Sequence, residues 1–114
     1  GYLHLRGRKK EMYIRGGYNV YPVEVEACLA RHPAVEQVAV LGVADAVLGE
    51  KGLAVVVLRA GATVAADELR DHCRRALADY KIPDYVEMRA ELPTNAMYKV
   101  DKSALRRELG ARAH

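Results

Sequence analysis

The sequence predicts an α+β domain, a small sheet with flanking helices and a two-stranded ribbon at the N-terminus, and three observations carry that prediction. The run Leu53-Ala54-Val55-Val56-Val57-Leu58 is apolar on both of the faces a strand would present, which suits a central strand covered from two sides. Leu69, Cys73, Ala76, Leu77 and Tyr80 recur at spacings of three and four, the stripe of an amphipathic helix. Pro22 stands where a helix should begin, because a first helical residue has no intrahelical use for its N–H.

In chain order, Tyr2 to Leu5 and Met12 to Arg15 read as the two short strands of the ribbon, separated by the basic cluster Arg6-Gly7-Arg8-Lys9-Lys10 and closed by Gly16-Gly17. The helix led by Pro22 carries Glu24 and Glu26 toward the positive end of its dipole and stops at His32-Pro33, with Val25, Cys28, Leu29 and His32 on one face. Val35 to Val43 reads as a strand, and Ala44 to Gly52 as a polar, glycine-containing loop before the central strand. The amphipathic helix spans Ala65 to Ala78 and is broken by Ile82-Pro83; Tyr85 to Arg89 alternates like a half-exposed strand. Leu92-Pro93 opens an irregular loop through Tyr98, and a last helix from Asp101 to Leu109 has Asp101 as its cap and Leu105 and Leu109 on one side.

Composition narrows the function. The 114 residues fit one domain, with 51% hydrophobic and 29% charged residues, which is globular but short for an enzyme with its own nucleotide pocket. No apolar run is long enough to span a membrane, and Gly1 to Leu5 has no signal-peptide h-region, so a cytoplasmic location is expected. Cys28 and Cys73 fall on apolar helix faces and are expected to act as small buried hydrophobes, with neither a disulfide nor a catalytic role. His72 beside Cys73 lacks a second pair at ligand spacing, so no metal site is expected. A net charge of +3 is modest, and the basic cluster reads first as a solvated turn. A freestanding basic module for acidic partners or nucleic acid remains as a minor alternative, testable by steep salt dependence. No phosphate loop, nucleophile triad or dinucleotide fingerprint is present.

The order of several motifs adds a family. Gly7-Arg8-Lys9-Lys10-Glu11-Met12-Tyr13-Ile14-Arg15-Gly16-Gly17-Tyr18-Asn19-Val20-Tyr21-Pro22-Val23-Glu24-Val25-Glu26 closely resembles the opening of the C-terminal domain of adenylate-forming enzymes, the family of acyl-CoA synthetases, luciferases and peptide-synthetase adenylation domains. The resemblance continues through His32-Pro33-Ala34-Val35, Gly49-Glu50, Tyr80-Lys81-Ile82-Pro83 and the ending Leu92-Pro93-Thr94-Asn95-Ala96-Met97-Tyr98-Lys99-Val100. It implies a small mixed sheet, and it makes residues 1–114 the mobile C-terminal domain of an acid–CoA ligase whose larger N-terminal domain binds ATP, Mg2+ and a carboxylic acid. The same resemblance implies no nucleic-acid partner, an isolated domain without activity, and CoA as acceptor, with a carrier-protein phosphopantetheine as the alternative.

Residue by residue, the resemblance makes Lys10 the hinge, where a change in one or two torsions swings a rigid domain, and Arg8 a contact to the nucleotide's ribose and phosphate. A turn lysine and a ribbon salt bridge are their structural alternatives. Gly16, Gly17 and Tyr18 match the loop lining the passage for CoA's pantetheine arm, which can run close to backbone only where no Cβ obstructs it. A tight turn would ask for the same glycines. Lys99 matches the lysine that contacts the carboxylate and the α-phosphate during adenylation. Met97 and Tyr98 stand where the family usually has Ser or Thr followed by Gly, and Lys81 and Lys102 are the alternative cations.

Overall fold

The computed structural model describes residues 11–97 and 99–113, with side chains as far as Leu109. The expected strand Tyr2 to Leu5, the basic cluster, Arg8 and Lys10 lie outside them. Among the described residues, five strands, β1 (Tyr13–Arg15), β2 (Tyr18–Val20), β3 (Val35–Asp45), β4 (Gly49–Leu58) and β5 (Tyr85–Met88), form one mixed sheet. Three described helices flank it, α1 (Pro22–Ala30), α2 (Ala66–Arg74) and α3 (Lys102–Ala113), and a 3-10 turn spans Asp79–Lys81.

β4 is central, as its apolar run requires. Along one edge it pairs antiparallel with β3 from Val35↔Leu58 to Asp45↔Gly49. Its other edge is shared by β1, antiparallel at Arg15↔Gly49, and β5, parallel from Leu53↔Tyr85 to Val56↔Met88. Alternate residues of β4 then serve two cores. Ala54 and Val56 face Val25, Cys28 and Leu29 of α1 and Leu69 and Cys73 of α2. Leu53, Val55 and Val57 face Leu92 and Leu105, with Val100 and Leu109 packed alongside. Each buried valine or leucine in these layers contributes about 1.5–3 kcal/mol relative to leaving it in water.

The expected pairing of Met12 to Arg15 with Tyr2 to Leu5 lies outside the described residues. Tyr13–Arg15 pairs with Tyr18–Val20, so Gly16-Gly17 is the turn inside a hairpin. Both glycines have positive φ, 57° and 89°, the conformation a two-residue hairpin turn of right-handed twist demands. The expected loop from Ala44 to Gly52 is mostly strand. The Asp45 carboxylate accepts the N–H groups of Val47 and Leu48, Gly49 takes φ 86°, and a turn of only residues 46–48 suffices.

Pro22 opens α1, where Glu24 lies in the first turn. Glu26 does not sit at the helix's positive end; it reaches to β3 and accepts the Val40 N–H at 2.8 Å. The amphipathic helix ends at Arg74 instead of Ala78, because the N–H groups of Ala76 and Leu77 both turn back to the Cys73 carbonyl. Asp101 caps α3 as expected, accepting the Ala104 N–H at 3.0 Å. Cys28 and Cys73 are buried in the same core layer, where burial and the neighbouring Cys28 push the Cys73 thiol up to about 12.

Two glycines at a register pair, Gly42 and Gly52, make a floor for Tyr13. A Cβ on Gly42 would lie 2.4 Å from the Tyr13 Cβ, and one on Gly52 would lie 2.2 Å from its hydroxyl. The ring is thus laid across the sheet, and it fixes how the start of β1 crosses the β3–β4 hairpin. The free edge of β3 is covered by side chains. Lys102 donates to the Val40 carbonyl and Arg106 to that of Gly42, which blunts the edge against pairing with other chains.

Candidate functional site

The structure gathers the expected site residues at two places. The first is the hairpin tip. Gly17 has open space where a Cβ would project, and Gly16 meets only the Leu48 side chain at 3.2 Å. Bare backbone at positive φ is therefore offered to whatever approaches the tip. Tyr18 is 58% exposed and its ring stacks on that of Tyr80, centroids 4.5 Å apart and 23° from parallel.

Behind the tip, Arg15 grips Asp84. Its Nε lies 3.2 and 3.0 Å from the two carboxylate oxygens, and its Nη2 is 2.7 Å from Oδ1, a forked ion pair. Asp84 is also tied to the central strand, accepting the Gly52 N–H at 2.9 Å and donating its own N–H to the Gly52 carbonyl at 2.9 Å. Burial pushes the Asp84 carboxyl up, but Arg15 and the Gly52 N–H outweigh it and hold the group below the ordinary carboxylate value. Hydrogen bonding to Asp84 raises the Arg15 guanidinium in turn.

The second place is the loop before α3. Thr94 and Val100 pair as an isolated bridge, and the Asn95 N–H donates to the Lys99 carbonyl at 2.8 Å. The Asn95 side-chain oxygen accepts the N–H groups of Met97 and Lys99 at 2.8 and 3.2 Å, closing the loop from inside. Met97 is 74% exposed, so its bulk points into solvent and leaves the loop able to close. Lys99 is exposed and borders an open recess of about 470 Å³ between Glu11, this loop and the first turn of α3.

The alternative cations are engaged. Lys81 pairs with Glu24 at 3.0 Å, and Lys102 with Glu11 at 2.9 Å and Glu26 at 2.8 Å. Among the described residues Lys99 has no such carboxylate, so of the three lysines it is the one whose ammonium can be given to a ligand at no cost in ion pairs. No group of three or more histidine, cysteine, aspartate or glutamate residues suited to a metal occurs among the described residues, and no described helix is long and apolar enough to cross a membrane.

The two places lie on opposite sides of the sheet. Tyr80, which carries the Tyr18 ring, packs on the layer of α1 and α2, whereas Val100, next to Lys99, packs on the layer of Leu92 and Leu105. The sequence points to Gly16, Gly17 and Tyr18 at the tip and to Lys99 in the second place, but not to Arg15, Asp84 or Tyr80 as parts of the tip. Tyr80 had a signal in the Tyr80-Lys81-Ile82-Pro83 step; Asp84, 69 residues from Arg15, had none.

Fold and site together define a small α+β domain that presents bare backbone on one face and an exposed ammonium on the other. Residues 24–99 match the family model of the AMP-binding enzyme C-terminal domain, and the chain belongs to that family. It is 46% identical over 110 residues to a feruloyl-CoA synthase of an Amycolatopsis species, covering 96% of this chain and 22% of that protein. With a long-chain-fatty-acid–CoA ligase of Bacillus subtilis (strain 168) it shares 44% over 109 residues, 96% of this chain and 19% of the relative. Among solved structures, a fatty acyl CoA synthetase of Mycobacterium tuberculosis superposes with a TM-score of 0.84 at 37% identity, over 90% of this chain and 20% of that one. The chain thus spans about a fifth of the length of the relatives it matches.

Proposed function

We propose that this chain is the mobile C-terminal domain of an ATP-dependent acyl-CoA synthetase and serves its two half-reactions with its two faces. The observation that carries this reading is the placement of Lys99 and the glycine tip on opposite sides of the sheet. Groups so placed cannot both face one reaction centre, so using both requires the domain to turn, and Lys10 is the proposed pivot.

In the first arrangement a carboxylate oxygen attacks the α-phosphorus of ATP, pyrophosphate leaves, and an acyl-adenylate forms. Lys99 supplies a positive charge to the oxygens that gain negative charge, and Arg8 contacts the nucleotide. In the second, the thiol sulfur attacks the acyl carbonyl, the thiol loses its proton, and the bond to phosphate breaks to release AMP. Gly16 and Gly17 line the thiol's path and Tyr18 flanks it. ATP, the acid and Mg2+ are assigned to a larger N-terminal domain.

Similar identity to relatives named for an aromatic acid and for long-chain fatty acids supports leaving acid selection to that larger domain. The relatives' names favour CoA over a carrier-protein arm as acceptor. ATP and CoA are pools of the cell interior, which supports a cytoplasmic site of action.

The test is reconstitution. The isolated chain should give no acid-dependent exchange of pyrophosphate into ATP, and joined to the large domain of the Bacillus subtilis ligase it should restore acyl-CoA formation that the large domain alone lacks. Exchange by the isolated chain, or a fusion no better than the truncated ligase, would defeat the reading.

A further inference from the structure

We propose that the segment Asp79–Asp84 is a bracket that sets the position of the Gly16–Gly17 tip, with Tyr80 and Asp84 as positioning residues for the thioester-forming step. The inference rests on the two-face reading above and adds residues to it. The tip is poorly held by backbone alone. Its strands are three residues long, and β1 meets the main sheet at a single register pair, Arg15↔Gly49, helped by the Gly16 N–H donating to the Leu48 carbonyl at 2.9 Å. Short two-stranded hairpins are marginal without further packing.

Tyr13 and Val20, buried in the core layer of α1 and α2, hold the base of the hairpin, and two side-chain grips hold its tip, one on each side of the glycines. Arg15 precedes the tip and Tyr18 follows it, and the two are opposite each other in register. Arg15 is forked onto Asp84, and Tyr18 is stacked on Tyr80. Both partners therefore come from one stretch four residues apart, the link between α2 and β5. That stretch is itself anchored: Ile82 and Pro83 are buried, Asp84 is bonded to both backbone groups of Gly52, and Lys81 is paired with Glu24 of α1.

A tip held on both flanks by one anchored segment keeps a fixed position relative to the sheet, which a narrow passage for a thiol arm needs. A misplacement of about 1 Å in reacting geometry can cost on the order of 100-fold in rate. Nothing in the core requires the Tyr18–Tyr80 stack, since Tyr18 is 58% exposed and outside the buried layers. Its place beside the glycines is what gives it a use.

The experiment separates the half-reactions in the full-length ligase carrying this domain. Pyrophosphate exchange reports adenylation, and a CoA chase of preformed acyl-adenylate, run at saturating and limiting CoA, reports the second step. Tyr80→Ala and Asp84→Asn should each slow the chase about tenfold at saturating CoA, the scale of losing one stacked or charged contact, and leave exchange within about twofold. Tyr80→Phe keeps the ring and should run at the unaltered rate. Gly17→Leu serves as the reference for the two-face reading. A normal chase in Tyr80→Ala beside an impaired one in Gly17→Leu overturns the bracket and leaves that reading standing. Equal losses of both half-reactions in Tyr80→Ala reduce the segment to a folding role and overturn the bracket as well. Equal losses in Gly17→Leu overturn the reading and the bracket together. If Asp84→Asn fails to fold, Tyr80→Ala decides alone, because its ring is only partly buried.

Discussion

Gly52→Ala should destabilise the domain by about 2 kcal/mol, and Tyr13→Phe should remove most of that cost. The new Cβ would stand 2.2 Å from the Tyr13 hydroxyl, far inside contact distance, and the ring cannot slide away because its own Cβ is already pressed over Gly42. Overpacking of this kind costs about 1–3 kcal/mol, and the upper end applies where neither partner can move. Replacing glycine returns about 0.4–1 kcal/mol through the unfolded chain, which leaves about 2. With phenylalanine at position 13 the nearest obstacle is the ring carbon at 3.1 Å, tight but tolerable, so the cost should fall below about 1 kcal/mol.

Tyr13→Phe alone should be close to neutral, since the hydroxyl is buried without a hydrogen-bond partner among the described residues. Urea denaturation of the isolated chain, followed by far-UV circular dichroism, gives all four stabilities of the cycle. Equal costs of Gly52→Ala in both backgrounds would refute the argument. The same hydroxyl has an alkaline signature. Burial, aided by Asp84, pushes Tyr13 from 10.0 up to about 12, so the folded state holds its proton more tightly than the unfolded chain. Stability is then full below pH 10 and falls as pH rises toward 12, by up to about 3 kcal/mol. Tyr13→Phe should remove that part of the fall.

Two further substitutions probe the sites. Gly17→Leu in the full-length ligase should spare pyrophosphate exchange and impair thioester formation; part of its effect will be turn strain at φ 89°, so melting the variant must accompany the rates. An unimpaired CoA step would remove the tip from the thiol's path. Lys102→Ala leaves Glu11, Glu26 and the Val40 carbonyl without their shared donor in a partly buried setting, and should cost about 2 kcal/mol in urea denaturation. A change under about 0.5 kcal/mol would show that water replaces the ammonium there without loss.

Features with local causes were legible in the sequence. Pro22 marks a helix start because its ring already has helical φ, Asp101 caps α3 because its carboxylate reaches an N–H three residues on, and the Leu53–Leu58 run, apolar on both faces, suits the central strand it forms. The hairpin was half legible. Gly16-Gly17 marks a turn by type, but the sequence assigns no element to Tyr18–Val20, since three residues carry too little periodicity to declare a strand. The contacts that hold the tip were not legible at all. Arg15 and Asp84 are 69 residues apart, and Glu11 and Lys102 are 91 apart. No local pattern says which carboxylate a given cation will meet. The same limit left Lys81, Lys99 and Lys102 indistinguishable by type until their neighbours were known.

Lys99 carries the central claim, and one measurement addresses it most directly. In the full-length ligase, Lys99→Ala, Lys81→Ala and Lys102→Ala are compared in both half-reactions, each rate corrected for the fraction folded. Among the described residues Lys99 is the exposed ammonium of the three without a carboxylate partner, while the others stand in ion pairs of 2.8–3.0 Å. The account predicts that Lys99→Ala slows pyrophosphate exchange by about 100- to 1000-fold, the loss that follows removal of one preorganised charge-stabilising donor, and leaves CoA attack on supplied acyl-adenylate within about twofold. A larger loss of exchange at Lys81 or Lys102, or an equal fall of both half-reactions at Lys99, would contradict it.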